Sequence, residues 1–140
     1  MASASFIVTG ANGWLGKRFT RLLATRAIEH PLVADLPDDL RISCLVLPGE
    51  DADELKALGD HVTVIQGDIR NPDDCRKLVE GQEGAIIVHT AGIIHPRKVS
   101  DFYAINTEGT KNLLEADQTA KLKRFVAVSS NSPLGCNPHS

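Results

Sequence analysis

Short apolar runs alternate along the chain with longer segments of mixed polarity. The runs Phe6 to Thr9, Ile42 to Leu47, Val62 to Gln66, Ala85 to Thr90 and Phe125 to Ser129 are rich in Val and Ile, with apolar residues at consecutive positions. A strand with one wet face alternates apolar and polar side chains, whereas consecutive apolar residues predict strands covered on both faces. Between the runs, Trp14 to Glu29, Asp51 to Leu58, Pro72 to Glu80 and Val99 to Lys121 carry apolar residues at helical spacing. In the first of these, Leu15, Phe19, Leu22 and Leu23 share a face, and His30-Pro31 stops it. In the last, Phe102, Ile105, Gly109, Leu113, Ala116 and Ala120 form a stripe opposite Lys111, Glu115, Gln118 and Lys121. Strands alternating with helices predict right-handed crossovers and an α/β fold with a doubly wound parallel sheet of about five strands. The connection His30 to Arg41, with two prolines and Asp38-Asp39, predicts a surface excursion. Internal repeats and low-complexity segments are absent from the sequence.

Composition narrows the classes. With 140 residues, 42% of them hydrophobic, the chain can bury one core, so residues 1–140 are expected to form a single domain. A net charge of −3 with interspersed signs offers no basic surface for nucleic acid or an anionic membrane. No uninterrupted apolar stretch is long enough to span a bilayer, and Met1-Ala2-Ser3-Ala4-Ser5 lacks the start of a signal peptide, so a cytoplasmic location is expected. Cys44, Cys75 and Cys136 are odd in number and far apart, which predicts buried or spectator thiols rather than a disulfide frame or zinc site. His89 and His95 have no partner at metal-ligand spacing, and no metal is expected.

The candidate chemistry begins at Thr9-Gly10-Ala11-Asn12-Gly13-Trp14-Leu15-Gly16, where the first strand hands over to the first helix. A turn needing positive φ favours glycine, and the free amides opening a helix bind an anion that can approach a side-chain-free backbone. The phosphate loop of the NTPases is excluded, because it requires Gly-Lys-Ser/Thr and Arg18 follows Lys17. The glycine spacing is three and three, rather than the two and three of the general dinucleotide fingerprint. A tight turn with no ligand is the competing reading.

In a doubly wound sheet, ligands lie beyond the carboxyl ends of the strands. After the third strand comes Gly67-Asp68-Ile69-Arg70, where a carboxylate can accept a hydrogen bond from an adenine amino group. The alternative for Asp68 is a turn or cap before Asn71-Pro72. After the fourth come Thr90, Ala91 and Gly92, small enough for a ligand to pass near the backbone. The fifth ends in Ser129-Ser130, which either places hydroxyls near the crevice or merely ends a strand. Gly109, inside a helix, points to close packing rather than chemistry.

Taken together, T-G-A-N-G-W-L-G, G-D-I-R, H-T-A-G, N-T-E-G-T-K-N-L-L-E-A and V-S-S, in this order, resemble the extended short-chain dehydrogenase/reductase family, the NAD-dependent epimerase/dehydratase group. The resemblance covers essentially the whole chain and implies a Rossmann-like fold. It implies that Gly10, Asn12, Gly13 and Gly16, with the amides of Trp14 and Leu15, hold a pyrophosphate. Asp68 and Ile69 would flank the adenine, and Thr90, Ala91 and Gly92, with Ser129, would line the path to the nicotinamide ribose. Asn106 would organise a water or backbone link near the active site, and Ser130 would be the catalytic hydroxyl. Sugar dehydratases of the family carry an Asp-Glu pair where this chain has Asn131 and Ser132, which disfavours that route.

One part of the family pattern does not occur here. Its catalytic Tyr-x-x-x-Lys pair has no counterpart, since the single tyrosine, Tyr103, is followed four places on by Thr107. The resemblance therefore implies that a catalytic helix, further strands and a substrate lobe follow Ser140, and that this chain alone is inactive. It also implies a homodimer through the long helix, with an exposed apolar stripe where its partner helix is missing. For the cofactor, the second strand runs out as Leu47-Pro48-Gly49-Glu50-Asp51, with acids slightly late for a ribose and no arginine for a 2′-phosphate, so NAD is expected ahead of NADP. The expected function is the NAD(P)-binding portion of an oxidoreductase or epimerase acting on a secondary alcohol, ketone or sugar nucleotide. A non-catalytic NAD(P)-sensing module is the alternative.

Overall fold

Ile7 and Val8 are neighbours in sequence and both fully buried, which requires a strand covered on its two faces. The structure, a computed structural model, describes residues 4–130. The first strand, β1 (Ser5–Thr9), leads into α1 (Trp14–Thr25) and the short α2 (Pro31–Ala34). Then follow β2 (Arg41–Val46), the single turn α3 (Asp53–Lys56), β3 (Val62–Gln66), α4 (Pro72–Val79) and β4 (Ile86–His89). The last part comprises α5 (Val99–Phe102), a π-helix (Tyr103–Gly109), α6 (Thr110–Ala120) and β5 (Arg124–Ala127).

All strand pairs are parallel, and the sheet order is β3-β2-β1-β4-β5. This is the doubly wound, Rossmann-like α/β fold expected from the sequence. One core cluster gathers Ile7, Leu45 and Ile87 with Leu78 of α4 and Leu113 and Ala116 of α6. The other gathers Val8, Ile42, Cys44 and Val46 with Leu23 of α1 and Leu55 of α3. Alternate residues of β1 and β2 thus feed opposite layers, whereas β5, at the edge, leaves Val126 exposed, against the expectation that each strand is covered on both faces. Cys44 and Cys75 are both buried thiols; Cys136, Asn131 and Ser132 lie outside the described residues.

Four expectations are corrected. The first helix ends at Thr25, not Glu29, because Arg26 turns left-handed (φ 52°) and its guanidinium donates to the Leu36 and Pro37 carbonyls. The excursion from His30 to Arg41 is not wholly on the surface, since it sends Val33 and Leu40 into the core. The segment Asp51 to Leu58 keeps only one helical turn, with Asp51 Oδ1 accepting from the Asp53 amide at 2.9 Å. The segment Val99 to Lys121 is not one α-helix: its middle widens into the π-helix, a form frequently found at functional sites.

The stripe on that segment faces inward from Gly109 on, while Phe102 at its start is exposed. Gly109, Leu113 and Ala116 are buried, and the exposed apolar residues are Val99, Phe102, Tyr103 and Leu114 instead. A Cβ on Gly109 would lie 2.6 Å from Ile69 Cδ1, so its close contact is with the loop after β3 rather than with the sheet.

Candidate functional site

The sheet order reverses between β1 and β4, and the loops after those strands part there. A cavity of about 300 Å³ opens at this point, within the range of small-molecule sites. One wall is Gly10, Asn12 and Gly13; the floor is the end of β2 (Leu45 to Leu47) with Glu50; the far side is Gly67 to Arg70, and the second wall is Thr90 to Ile93 with Ile105.

The three glycines of the first wall are required for different reasons. Gly10 has φ +63°, and a Cβ there would lie 2.7 Å from the Ala91 nitrogen. A Cβ on Gly16 would lie 2.1 Å from the Gly10 carbonyl oxygen. Both are demanded by the protein's own packing, and Gly10 has the positive φ expected of the turn. Gly13 differs: its φ of −74° suits any residue, and a Cβ would meet only the Gly10 oxygen, at 3.2 Å. Gly13 borders the cavity and caps α1 with no side-chain hydrogen bond and no acid in the first turn. The opening amides of the helix therefore remain for an anion, and a diphosphate fits this place sterically and electrostatically.

Asn12 ties two loops together, its Nδ2 donating to the Asp51 carbonyl at 2.7 Å and to Glu50 Oε2 at 3.4 Å. Trp14, Leu15 and Gly16 do not line the cavity, and the Trp14 indole is 86% exposed, in a separate groove beside Lys17, Arg18 and Arg21. Asp68 and Ile69 do line it. The carboxylate of Asp68 accepts from the Arg70 amide at 2.9 Å and from its guanidinium at 2.6 Å, and this pairing holds its carboxyl below the usual carboxylate range. Asp68 is thus a turn residue and a cavity residue at once.

On the second wall, the Thr90 hydroxyl donates to the Thr9 carbonyl at 2.7 Å. Asn106, on the π-helix, accepts from the Ile93 amide and donates to the Ile93 carbonyl, both at 2.9 Å. A Cβ on Gly92 would lie 3.3 Å from Asn106 Oδ1, so a small residue is needed there. Ser129 and Ser130 follow β5, are exposed, and are not among the residues lining the cavity.

Sequence reasoning missed His89. It considered the residue's chemistry only as that of a metal ligand, whereas the ring is buried at the end of β4, with Nδ1 2.6 Å from Thr9 Oγ1 and Nε2 2.8 Å from Thr110 Oγ1. Burial pushes its pKa down to about 4, so the ring is neutral at ordinary pH. A polar residue closing an apolar strand, in register with Thr9, was the available signal. Among the described residues, no group of three or more His, Cys, Asp or Glu can hold a metal ion, and no helix is long and apolar enough to cross a membrane.

Sheet order, glycine turn and crevice are those of the Rossmann class. The NAD dependent epimerase/dehydratase family profile matches residues 6–140, and the chain belongs to that family. It is 46% identical over 134 residues to an uncharacterized protein of Sinorhizobium fredii, covering 96% of this chain and 36% of that protein. It is 29% identical over 136 residues to mouse 3 beta-hydroxysteroid dehydrogenase type 7, covering 94% of this chain and 34% of the enzyme. The chain therefore spans about a third of the length of these relatives. A mutant uronate dehydrogenase from Agrobacterium tumefaciens, solved in complex with NAD, superposes with a TM-score of 0.64 at 28% identity, covering 93% of this chain and 42% of that one.

Proposed function

We propose that the chain is the dinucleotide-binding portion, a single domain over residues 1–140, of an NAD(P)-dependent oxidoreductase or epimerase. The observation that carries this reading is Gly13: it alone of the glycine triplet is not demanded by the fold, and it borders the crevice at an uncapped helix start. In this reading Gly10, Gly13 and Gly16, with the amides of Trp14 and Leu15, form the pyrophosphate turn, and Asn12 holds that turn to the loop after β2. Asp68 and Ile69 flank the adenine, with Thr90, Ala91 and Gly92 along the path to the nicotinamide ribose. Asn106 braces that path, Ser129 borders it, and the Ser130 hydroxyl bonds the substrate oxygen. Glu50 in the crevice supports NAD over NADP, since a carboxylate repels a 2′-phosphate and accepts from ribose hydroxyls.

Hydride transfer to or from the nicotinamide is the chemistry such a cofactor supplies. The steroid and uronate dehydrogenases among the similar proteins support a secondary alcohol or ketone as substrate, with a sugar nucleotide as the other candidate. Residues 1–140 alone bind dinucleotide and turn nothing over, because the acid/base Tyr-x-x-x-Lys pair has no counterpart in this sequence. Its absence equally favours a second reading, an NAD(P)-sensing module, which predicts no such pair in any coding sequence downstream. The whole protein is proposed to be a cytoplasmic homodimer paired through the face bearing Phe102, Tyr103 and Leu114.

Titration calorimetry with NADH and NADPH tests the reading, with Trp14 emission as a second signal. Binding of NADH ahead of NADPH is expected. A folded sample giving neither heat nor an emission change at saturating dinucleotide overturns it.

A further inference from the structure

We propose that His89 is a positioning residue for the second wall of the crevice, holding Thr90 to Ile93 through Thr9 at one end and through Thr110 and Asn106 at the other. As far as a dinucleotide is concerned, this inference rests on the reading of the crevice given above.

The directions of the hydrogen bonds carry it. The Thr110 hydroxyl donates to the Asn106 carbonyl at 2.8 Å, so its oxygen accepts from His89 Nε2–H. Nδ1 is then bare and accepts the Thr9 hydroxyl proton at 2.6 Å. The Thr9 oxygen in turn accepts from the Ala91 amide at 3.3 Å. One neutral tautomer satisfies every donor along the line from Ala91 through Thr9, His89 and Thr110 to Asn106. No described buried side-chain nitrogen or oxygen lacks a partner. The low pKa of the buried ring agrees with this neutral form.

The ring therefore joins the two attachments of the wall. Thr9 holds Ala91, while Asn106, on the π-helix that Thr110 follows, grips Ile93 by both backbone groups. The widened π turn precedes Thr110, and the Thr110 hydroxyl ties that turn back to β4. Loss of the histidine contact frees the π-helix from the strand and loosens Ile93, while the glycine turn on the opposite wall keeps its own backbone contacts.

Nitrogen-15 NMR of the wild type at pH 7 reads the ring directly. The Nε2–H tautomer is expected for His89, and an Nδ1–H or cationic ring overturns the proposal. In Thr110→Val, hydrogen exchange at the Ile93 amide should rise about tenfold and the Kd for NADH should rise about tenfold, as for a lost buried hydrogen bond. The Kd for ADP, which reaches only the glycine turn and the adenine end, should move less than twofold, and Thr110→Ser should restore all three. Equal losses for NADH and ADP, or unchanged Ile93 exchange, overturn the assignment. If Thr110→Val folds poorly, His89→Gln, which keeps a donor near Nε2, must protect Ile93 better than His89→Asn, and the reverse order overturns the proposal. A wild type that binds neither ADP nor NADH defeats the functional reading, while the tautomer and Ile93 exchange still decide the role of His89.

Discussion

The two walls of the crevice are built by different means. The first, the turn Gly10 to Gly13 with Gly16 packed behind it, is a continuous stretch of chain shaped by what its backbone excludes: a Cβ on Gly16 would stand 2.1 Å from the Gly10 oxygen. The second, Thr90 to Ile93, is held by side chains at positions 9, 89, 106 and 110, which meet only in the folded sheet. Steric exclusion by backbone admits no compromise, whereas a hydrogen-bonded wall can yield in steps. The comparison predicts abrupt failure on one side and graded loss on the other.

The largest break is expected at Gly16→Ala, where backbone atoms cannot move aside. Destabilisation of about 3 kcal/mol or more, or loss of the folded form, should appear in urea melts. Gly10→Ala, strained by its positive φ as well as by Ala91, should cost nearly as much. A mild effect at either glycine would remove the contrast between the walls.

Next in size is the pH response of the second wall. The pKa of His89 lies near 4 in the folded protein against 6.5 unperturbed, so the unfolded chain binds the proton more readily. Its contribution is intact above about pH 6.5 and declines as pH falls toward 4, by roughly 2 kcal/mol between pH 7 and pH 5. Urea melts at those two values should show the decline in the wild type and lose most of it in His89→Gln.

A smaller change in stability, with a larger change in binding, is expected at Gly13→Ala. The backbone conformation suits any residue and a Cβ would press only on the Gly10 oxygen, at 3.2 Å, so stability should fall by less than about 1 kcal/mol. Calorimetry should nonetheless show NADH binding weakened about tenfold, because the methyl group intrudes where the diphosphate approaches. Unchanged affinity would mean that the third glycine, too, serves only the turn.

The smallest effect is expected at Arg70→Gln. The Arg70–Asp68 pair lies at the crevice rim with the Arg70 side chain about half exposed, so no more than about 1 kcal/mol should be lost. The carboxyl of Asp68 is held low by Arg70, so this contribution is fully present above the ordinary carboxylate pKa and is lost as pH falls through the lower value of the folded state. Thermal melts should show a larger difference between variant and wild type at pH 7 than at pH 3.

The first wall was legible in the sequence because its cause is local: glycines at fixed offsets between an apolar run and a helix describe a turn wherever they occur. The strands were legible for a similar reason, consecutive Val and Ile having only one economical burial. Asp68, Ile69, Thr90, Ala91 and Gly92 were found by position, since the ends of parallel strands face one crevice. Glu50, Arg70, Ile93 and Ile105 were not assigned to the crevice, because their approach depends on loop paths that periodicity does not encode. The π-helix escaped notice as well, since its apolar spacing over a single turn cannot be told from that of an α-helix.

What the order of amino acids determined by itself was the alternation of strands and helices, the parallel sheet they form and the shape of the glycine turn. Each follows from hydrophobic period or backbone sterics within a few consecutive residues. Tertiary structure alone decided that Gly10 packs against Ala91, and that His89 joins β1 to the helix beyond β4. Those facts depend on atoms about 80 residues apart in the chain approaching within hydrogen-bond distance, as Thr9 and His89 do at 2.6 Å. Only the completed sheet brings them together.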